Sequence, residues 1–162
     1  MGFIFLAHVA TETNAKMRVY HSCLDLDETL VHSTLEHCDD ADFTFPVHSN
    51  LKEHTVYVRC RPHLQLFMDR VADMFEIIVF TASQSVYAEQ LLKVLDPERK
   101  LIHHRVYRKS CVFVEGNYLK DLTVLGRDLA QVGYHRLLWF ERWTVFRIYV
   151  TQISCMVKLG RY

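Results

Sequence analysis

Between Pro62 and Pro97, two helical patterns flank one short, uninterrupted apolar run, and that arrangement leaves few folds open. Arg61-Pro62 places proline at a helix start, and Leu64, Phe67, Met68, Val71 and Phe75 follow at the three-and-four spacing of an amphipathic helix. Glu76-Ile77-Ile78-Val79-Phe80 then reads as a strand whose lack of alternation implies burial on both faces. Thr81-Ala82-Ser83 leads into a second helix through about Leu95, which Asp96-Pro97 ends. A strand with no solvent face, bracketed by helices, predicts a mainly parallel central sheet.

The flanking segments extend this α/β reading. Val19 to Leu24 is a short strand running into the acidic turn Asp25-Leu26-Asp27-Glu28. Phe43 to Val47 and Thr55 to Cys60 are two strands joined by a turn at His48-Ser49-Asn50, the second alternating through Val56, Val58 and Cys60. Ile102 to Tyr107 and Cys111 to Val114 are further strands, and Glu115-Gly116-Asn117 makes the turn of an inserted β-hairpin before Tyr118-Leu119-Lys120. Half of the 162 residues are hydrophobic, enough for the core of one ordinary domain.

Charge and cysteine usage narrow the function classes. The 19 Lys and Arg balance 19 Asp and Glu, which argues against direct nucleic-acid binding, since that affinity rests on a cationic excess. Any anionic ligand must therefore be held by a local site. Cys23, Cys38, Cys60, Cys111 and Cys155 contain no C-x-x-C pair, so reduced thiols in the nucleus or cytoplasm are expected, without a disulfide framework or zinc site. The apolar opening Phe3 to Ala7 lacks a basic flank and is too short to span a bilayer, and no other stretch reads as a membrane span.

In open α/β sheets ligands bind beyond the carboxyl ends of the strands. Two predicted strands end in reactive groups, Asp25 with Asp27 and Thr81, and Lys120 follows the hairpin. Two carboxylates one residue apart at a strand end suit a nucleophile paired with a general acid. Alone they would read better as a solvated acidic turn; Thr81 and Lys120 favour the chemical reading.

Asp25-Leu26-Asp27-Glu28-Thr29-Leu30-Val31-His32-Ser33 resembles the D-x-D-x-T signature of the haloacid-dehalogenase superfamily, and more narrowly of the small phosphatases acting on the C-terminal domain of RNA polymerase II. The resemblance continues through Tyr57 to Pro62, Phe80-Thr81-Ala82-Ser83 and Lys120 to Leu129, covering roughly Leu24 to Val132. It implies a Rossmann-like fold and a phosphorylated peptide or protein as substrate, such as the polymerase tail. It makes Asp25 the nucleophile that forms an aspartyl-phosphate, and Asp27 the general acid and then base. Thr81 and Lys120 would hold the phosphate, with Arg108 and Tyr87 contacting the substrate. Mg2+ would be bound by the Asp25 side chain, the Asp27 backbone carbonyl and an acid on the strand after the Gly126-Arg127-Asp128-Leu129 segment. A monomer is expected.

The resemblance fades at both ends. It divides the chain into an atypical segment 1–18, a phosphatase-like domain 19–132 and a divergent tail 133–162, with the C-terminal part of the fold incomplete. Where it implies an apolar strand ending in Asp-Asn, the chain reads Gly133-Tyr134-His135-Arg136, and Glu141 is the single acid of the tail. Leu137, Leu138, Phe140 and Val145 to Val150 are apolar enough to fill a sheet position but bring no carboxylate to the strand end. An inactive, import-receptor-like binding module is therefore the alternative to an enzyme. Leu35, Phe43, Phe45 and Val56 are read either as core or as a pocket for a substrate proline.

Overall fold

The computed structural model describes residues 20–135 apart from 50 and 51. In chain order these form β1 (His21–Leu24), β2 (Val31–Thr34), β3 (Phe43–Ser49), β4 (Lys52–Cys60), α1 (Leu64–Ala72), β5 (Glu76–Phe80), α2 (Ser85–Leu95), β6 (Ile102–Val106), β7 (Val112–Val114), β8 (Asn117–Leu119) and β9 (Val132–His135). The central sheet is parallel and runs β6-β5-β1-β9; β2-β4-β3 is a separate antiparallel sheet, and β7-β8 is a hairpin.

The apolar run behaves as expected of a strand with no wet face. Ile77, Ile78, Val79 and Phe80 are all essentially inaccessible, each contributing about 2 kcal/mol of burial. On α1, Leu64, Met68 and Val71 are buried, and the helix packs against β5. On α2, Ala88, Leu91 and Leu92 are buried, and that helix packs against β3, which joins the antiparallel sheet to the same core.

Several boundaries differ from the sequence expectation, each for a local reason. Pro62 lies in the turn before α1, and His63 takes the N-cap with a left-handed backbone, so the helix begins at Leu64. His48 and Ser49 pair with Glu53 and Lys52 instead of turning, which moves the connection to residues 50 and 51, outside the described residues. Asn117 opens β8, and the hairpin turns on Glu115 and Gly116, both at positive φ (49° and 83°), as a two-residue turn matched to strand twist requires. β2 was not anticipated, because Val31-His32-Ser33-Thr34 is too short and polar to stand out; pairing with β4 makes it a strand.

The sheet also continues past residue 132. Val132-Gly133-Tyr134-His135 pairs in parallel with His21-Ser22-Cys23-Leu24. Ladder hydrogen bonds use backbone groups, so this unpromising sequence can still occupy the place beside β1. The segment 1–18, Glu141 and the apolar residues from Leu137 to Val150 lie outside the described residues.

Candidate active site

Asp25 follows β1 directly, and its backbone N–H donates to the His135 carbonyl (3.0 Å), carrying the β1-β9 pairing one step further. The Leu26 N–H donates to Asp25 Oδ1 (2.8 Å), and the Lys120 ammonium donates to the same oxygen. The two side chains are only 11% and 12% exposed, so removing either partner strands a buried charge at a cost of about 3 kcal/mol or more. Lys120 Nζ is also 3.4 Å from the Tyr134 hydroxyl and lies 5.9 Å and 5.7 Å from the ring centres of Phe80 and Tyr134. Burial pushes the neighbouring Cys23 thiol up to about 12, which removes it as a competing nucleophile near neutral pH.

Asp27 sits in a different shell. Thr81 Oγ1 (3.0 Å) and Ser83 Oγ (2.7 Å) donate to its Oδ2, and the Tyr87 hydroxyl (2.8 Å) donates to its Oδ1. Tyr87 has one proton, so its oxygen accepts from Ser33 Oγ (2.7 Å). Burial, then the Asp27 charge, raises the Tyr87 pKa, which keeps the phenol protonated as a donor. Thr81 is fully buried and accepts from the Ser83 N–H (3.0 Å), so the turn after β5 is tied to Asp27 twice over.

The turn bearing both aspartates is clamped from outside. Glu28 adopts φ 60°, and Arg61 donates to the carbonyls of Thr29 (Nε, 2.6 Å) and Glu28 (3.2 Å). The planar guanidinium thereby satisfies two neighbouring carbonyls of the tight turn.

Of the residues singled out from sequence, the fold brings Asp25 with Lys120, and Asp27 with Thr81 and Tyr87. Arg108 lies one step away: its Nε donates to the Ala82 carbonyl (2.6 Å), and its guanidinium stands 4.7 Å from the centre of the Tyr118 ring. Ser33, Ser83, Arg61 and Tyr134 join the site without having been assigned a role in it. The first three lie inside the quoted motif segments, a signal left unused; Tyr134 lies in a segment with no motif. Beside Asp27 opens a cavity of about 400 Å³ lined by Leu35, Val47, Val56, His54, Ser83 and Tyr87, among others. Leu35 and Val56 line it as one sequence reading allowed. Phe45 instead is buried, with its ring 5.9 Å from that of Tyr87, and Phe43 packs against the core, because β3 alternation turns both toward it.

Residues 20–133 match the model of the NLI interacting factor-like phosphatase family. The chain belongs to that family. Over 109 residues, 67% of the chain, it is 56% identical to CTD small phosphatase-like protein 2 of Dictyostelium discoideum and 55% identical to CTD small phosphatase-like protein 3 of Caenorhabditis elegans, covering 19% and 38% of those proteins. Over the same length it is 47% identical to the human Carboxy-terminal domain RNA polymerase II polypeptide A small phosphatase 1, covering 41% of it. The chain thus spans well under half the length of these relatives. A solved structure of the fission yeast RNA polymerase II CTD phosphatase Fcp1, a variant bound to beryllium fluoride, superposes with a TM-score of 0.62 at 15% identity over 82% of this chain and 40% of that one. The fold is the Rossmann-like haloacid-dehalogenase fold with a mainly parallel sheet.

For the magnesium ion implied by the family, the donor set among the described residues is incomplete. Asp25 and the Asp27 backbone suit a hard cation, but the described end of β9 is His135, whose buried Nδ1 has no hydrogen-bond partner and whose pKa burial lowers. Magnesium prefers oxygen ligands, and β9 brings no carboxylate among the described residues.

Proposed function

We propose that this domain is a protein phosphoserine phosphatase of the RNA polymerase II C-terminal-domain type, acting through an aspartyl-phosphate on Asp25. The observation that carries the reading is the buried Asp25–Lys120 pair beside an Asp27 ringed by hydroxyls, at the carboxyl ends of parallel strands. An Asp25 carboxylate oxygen attacks phosphorus as the bond to the serine oxygen breaks, and Asp27 gives its proton to that leaving oxygen. Asp27 then takes a proton from the water that hydrolyses the acyl phosphate. Two unit charges at 4 Å repel by roughly 4 kcal/mol at an effective dielectric near 20, and Lys120 offsets that barrier.

In the resting arrangement Asp27 accepts from Thr81, Ser83 and Tyr87. A Thr81 hydroxyl that turns away from Asp27 can donate to the phosphate instead. Magnesium, held by Asp25 and the Asp27 carbonyl, would add charge neutralisation. The Leu35–Val47–Val56 cavity suits an apolar residue such as proline beside the phosphoserine, with Tyr87 and Arg108 bordering the peptide. A phosphorylated peptide such as the polymerase tail, a nuclear or cytoplasmic setting and a monomeric state accord with this role; among the described residues no helix is long and apolar enough to cross a membrane.

The second reading, an inactive phosphopeptide-binding module, is favoured by the sequence itself, which places Arg136 where the family resemblance implies an acid. Hydrolysis of a small aryl phosphate with magnesium separates the two. Turnover that disappears in Asp25→Asn supports the enzyme; phosphopeptide binding without turnover supports the module; turnover that survives Asp25→Asn overturns the assigned nucleophile.

A further inference from the structure

Directly before Lys120, the β7-β8 hairpin exposes more apolar surface than the rest of the site. Val112, Phe113, Tyr118 and Leu119 are 47%, 61%, 41% and 39% exposed. An isolated two-stranded ribbon gains little stability from side chains left in water, so such a concentration points to contact with something else. Residues directly opposite across an antiparallel pair share a face, so Phe113 with Tyr118 forms one face and Val112 with Leu119 the other.

Only the first of these faces is linked to the site. The Phe113 and Tyr118 rings lie 4.9 Å apart, and the Arg108 guanidinium stands over Tyr118 at 4.7 Å. Arg108 is in turn anchored to the segment after β5, its Nε donating to the Ala82 carbonyl (2.6 Å) and its N–H to the Ser83 carbonyl (3.1 Å). Ser83 holds Asp27 (2.7 Å), so a continuous line of contacts leads from the hairpin to the acid. None of the hairpin residues lines the cavity beside Asp27. Lys109 is exposed next to Arg108, giving this edge a cationic border, while Glu115 lies at the turn.

We propose that the Phe113–Tyr118 face, bordered by Arg108 and Lys109, docks the flank of the phosphopeptide substrate that is not seated in the cavity, taking an apolar side chain on the rings and an acidic side chain at the cations. Aromatic rings and a stacked arginine are preorganised for such a contact, since little side-chain freedom remains to be lost. The occupant is the substrate's own chain because the face adjoins Lys120 and the Asp27 loop, and because the cationic border complements an acidic segment. This inference rests on the phosphatase reading.

The test compares wild type, Phe113→Ser, Lys109→Glu and, from the opposite face, Val112→Ser. The substrates are an aryl phosphate and two phosphoserine peptides that differ only in whether the flank carries a Leu-Asp pair or Gly-Ser. Phe113→Ser and Lys109→Glu are expected to raise KM about tenfold for the Leu-Asp peptide alone, leaving kcat and aryl phosphate turnover unchanged. Fluorescence anisotropy of the labelled peptides reads docking independently of turnover, with the same tenfold shift in Kd expected. Absence of aryl phosphate hydrolysis by wild type overturns the phosphatase reading while the anisotropy still judges the docking face. Equal affinity of wild type for both peptides, no loss in Phe113→Ser, or an equal loss in Val112→Ser overturns the docking inference.

Discussion

The two ends of the central sheet hold their carboxylates in opposite ways. At the amino end Glu76, the first residue of β5, accepts from Arg127 through Nε (3.1 Å) and a terminal nitrogen (3.0 Å), and is paired with His104 (3.0 Å) and His21. The Arg127 hydrogen bonds above all, with the two imidazoles, draw the Glu76 pKa down from 4.5 to about 2. At the carboxyl end Asp27 receives hydroxyl groups that each turn about a single bond. The same functional group is held by a guanidinium and two imidazoles at one end, and by neutral, rotatable hydroxyls at the other. Arg127 gives the first arrangement a further use, because it ties the segment between Lys120 and β9 to the start of β5.

The strongest way to break this contrast is at the nucleophile. Asp25→Asn keeps the shape of the site and is expected to reduce aryl phosphate hydrolysis on the order of 10³-fold or more, measured by steady-state release of phosphate. If activity persists, the carboxyl end is no more chemical than the amino end. Next in size, Asp27→Asn should slow alkyl phosphate turnover by roughly 10²-fold to 10⁴-fold and activated aryl phosphate turnover much less, since only the alkoxide needs protonation to leave. Equal losses on the two substrates would remove the general-acid role.

A third change sharpens the comparison by supplying a carboxylate. Arg136→Asp, immediately after β9, is expected to tighten magnesium binding by about tenfold, or ~1.4 kcal/mol, in isothermal titration calorimetry. Unchanged affinity would mean that another group already completes the ion's ligands.

The smallest expected effect on turnover comes from the other end of the sheet. Glu76→Gln should leave kcat for the aryl phosphate within about twofold while lowering thermal stability near neutral pH. Because the folded pKa of Glu76 lies below its ordinary value, its stabilisation is present above about pH 4.5 and is lost as pH falls toward 2. Wild type should therefore lose more stability than Glu76→Gln across that window in melting curves taken at successive pH values. Parallel curves would show that the carboxylate adds nothing specific.

Pattern carried much of the fold and part of the site. Ile77 to Phe80 had to be a doubly covered strand because an apolar run without alternation has no other place in a domain this size. Asp25, Asp27, Thr81 and Lys120 were legible as candidates because their residue types, at strand ends and after the hairpin, follow a motif order. Ser33 and Ser83 were not legible as Asp27 partners, since a serine hydroxyl has many uses and only geometry selects among them.

The sequence by itself determined the α/β class and the family, and it named the candidate site residues, because periodicity and motif spacing are properties of the chain's order. Tertiary structure alone decided that β2 is a strand and that Val132 to His135 lies beside β1, because pairing is judged by backbone partners and not by hydropathy. It also decided that Asp25 is held by a cation and Asp27 by hydroxyls. Residues 95 and 54 to 60 positions apart meet there only after the sheet has formed, and the surroundings of a carboxylate, not its identity, set what it can do.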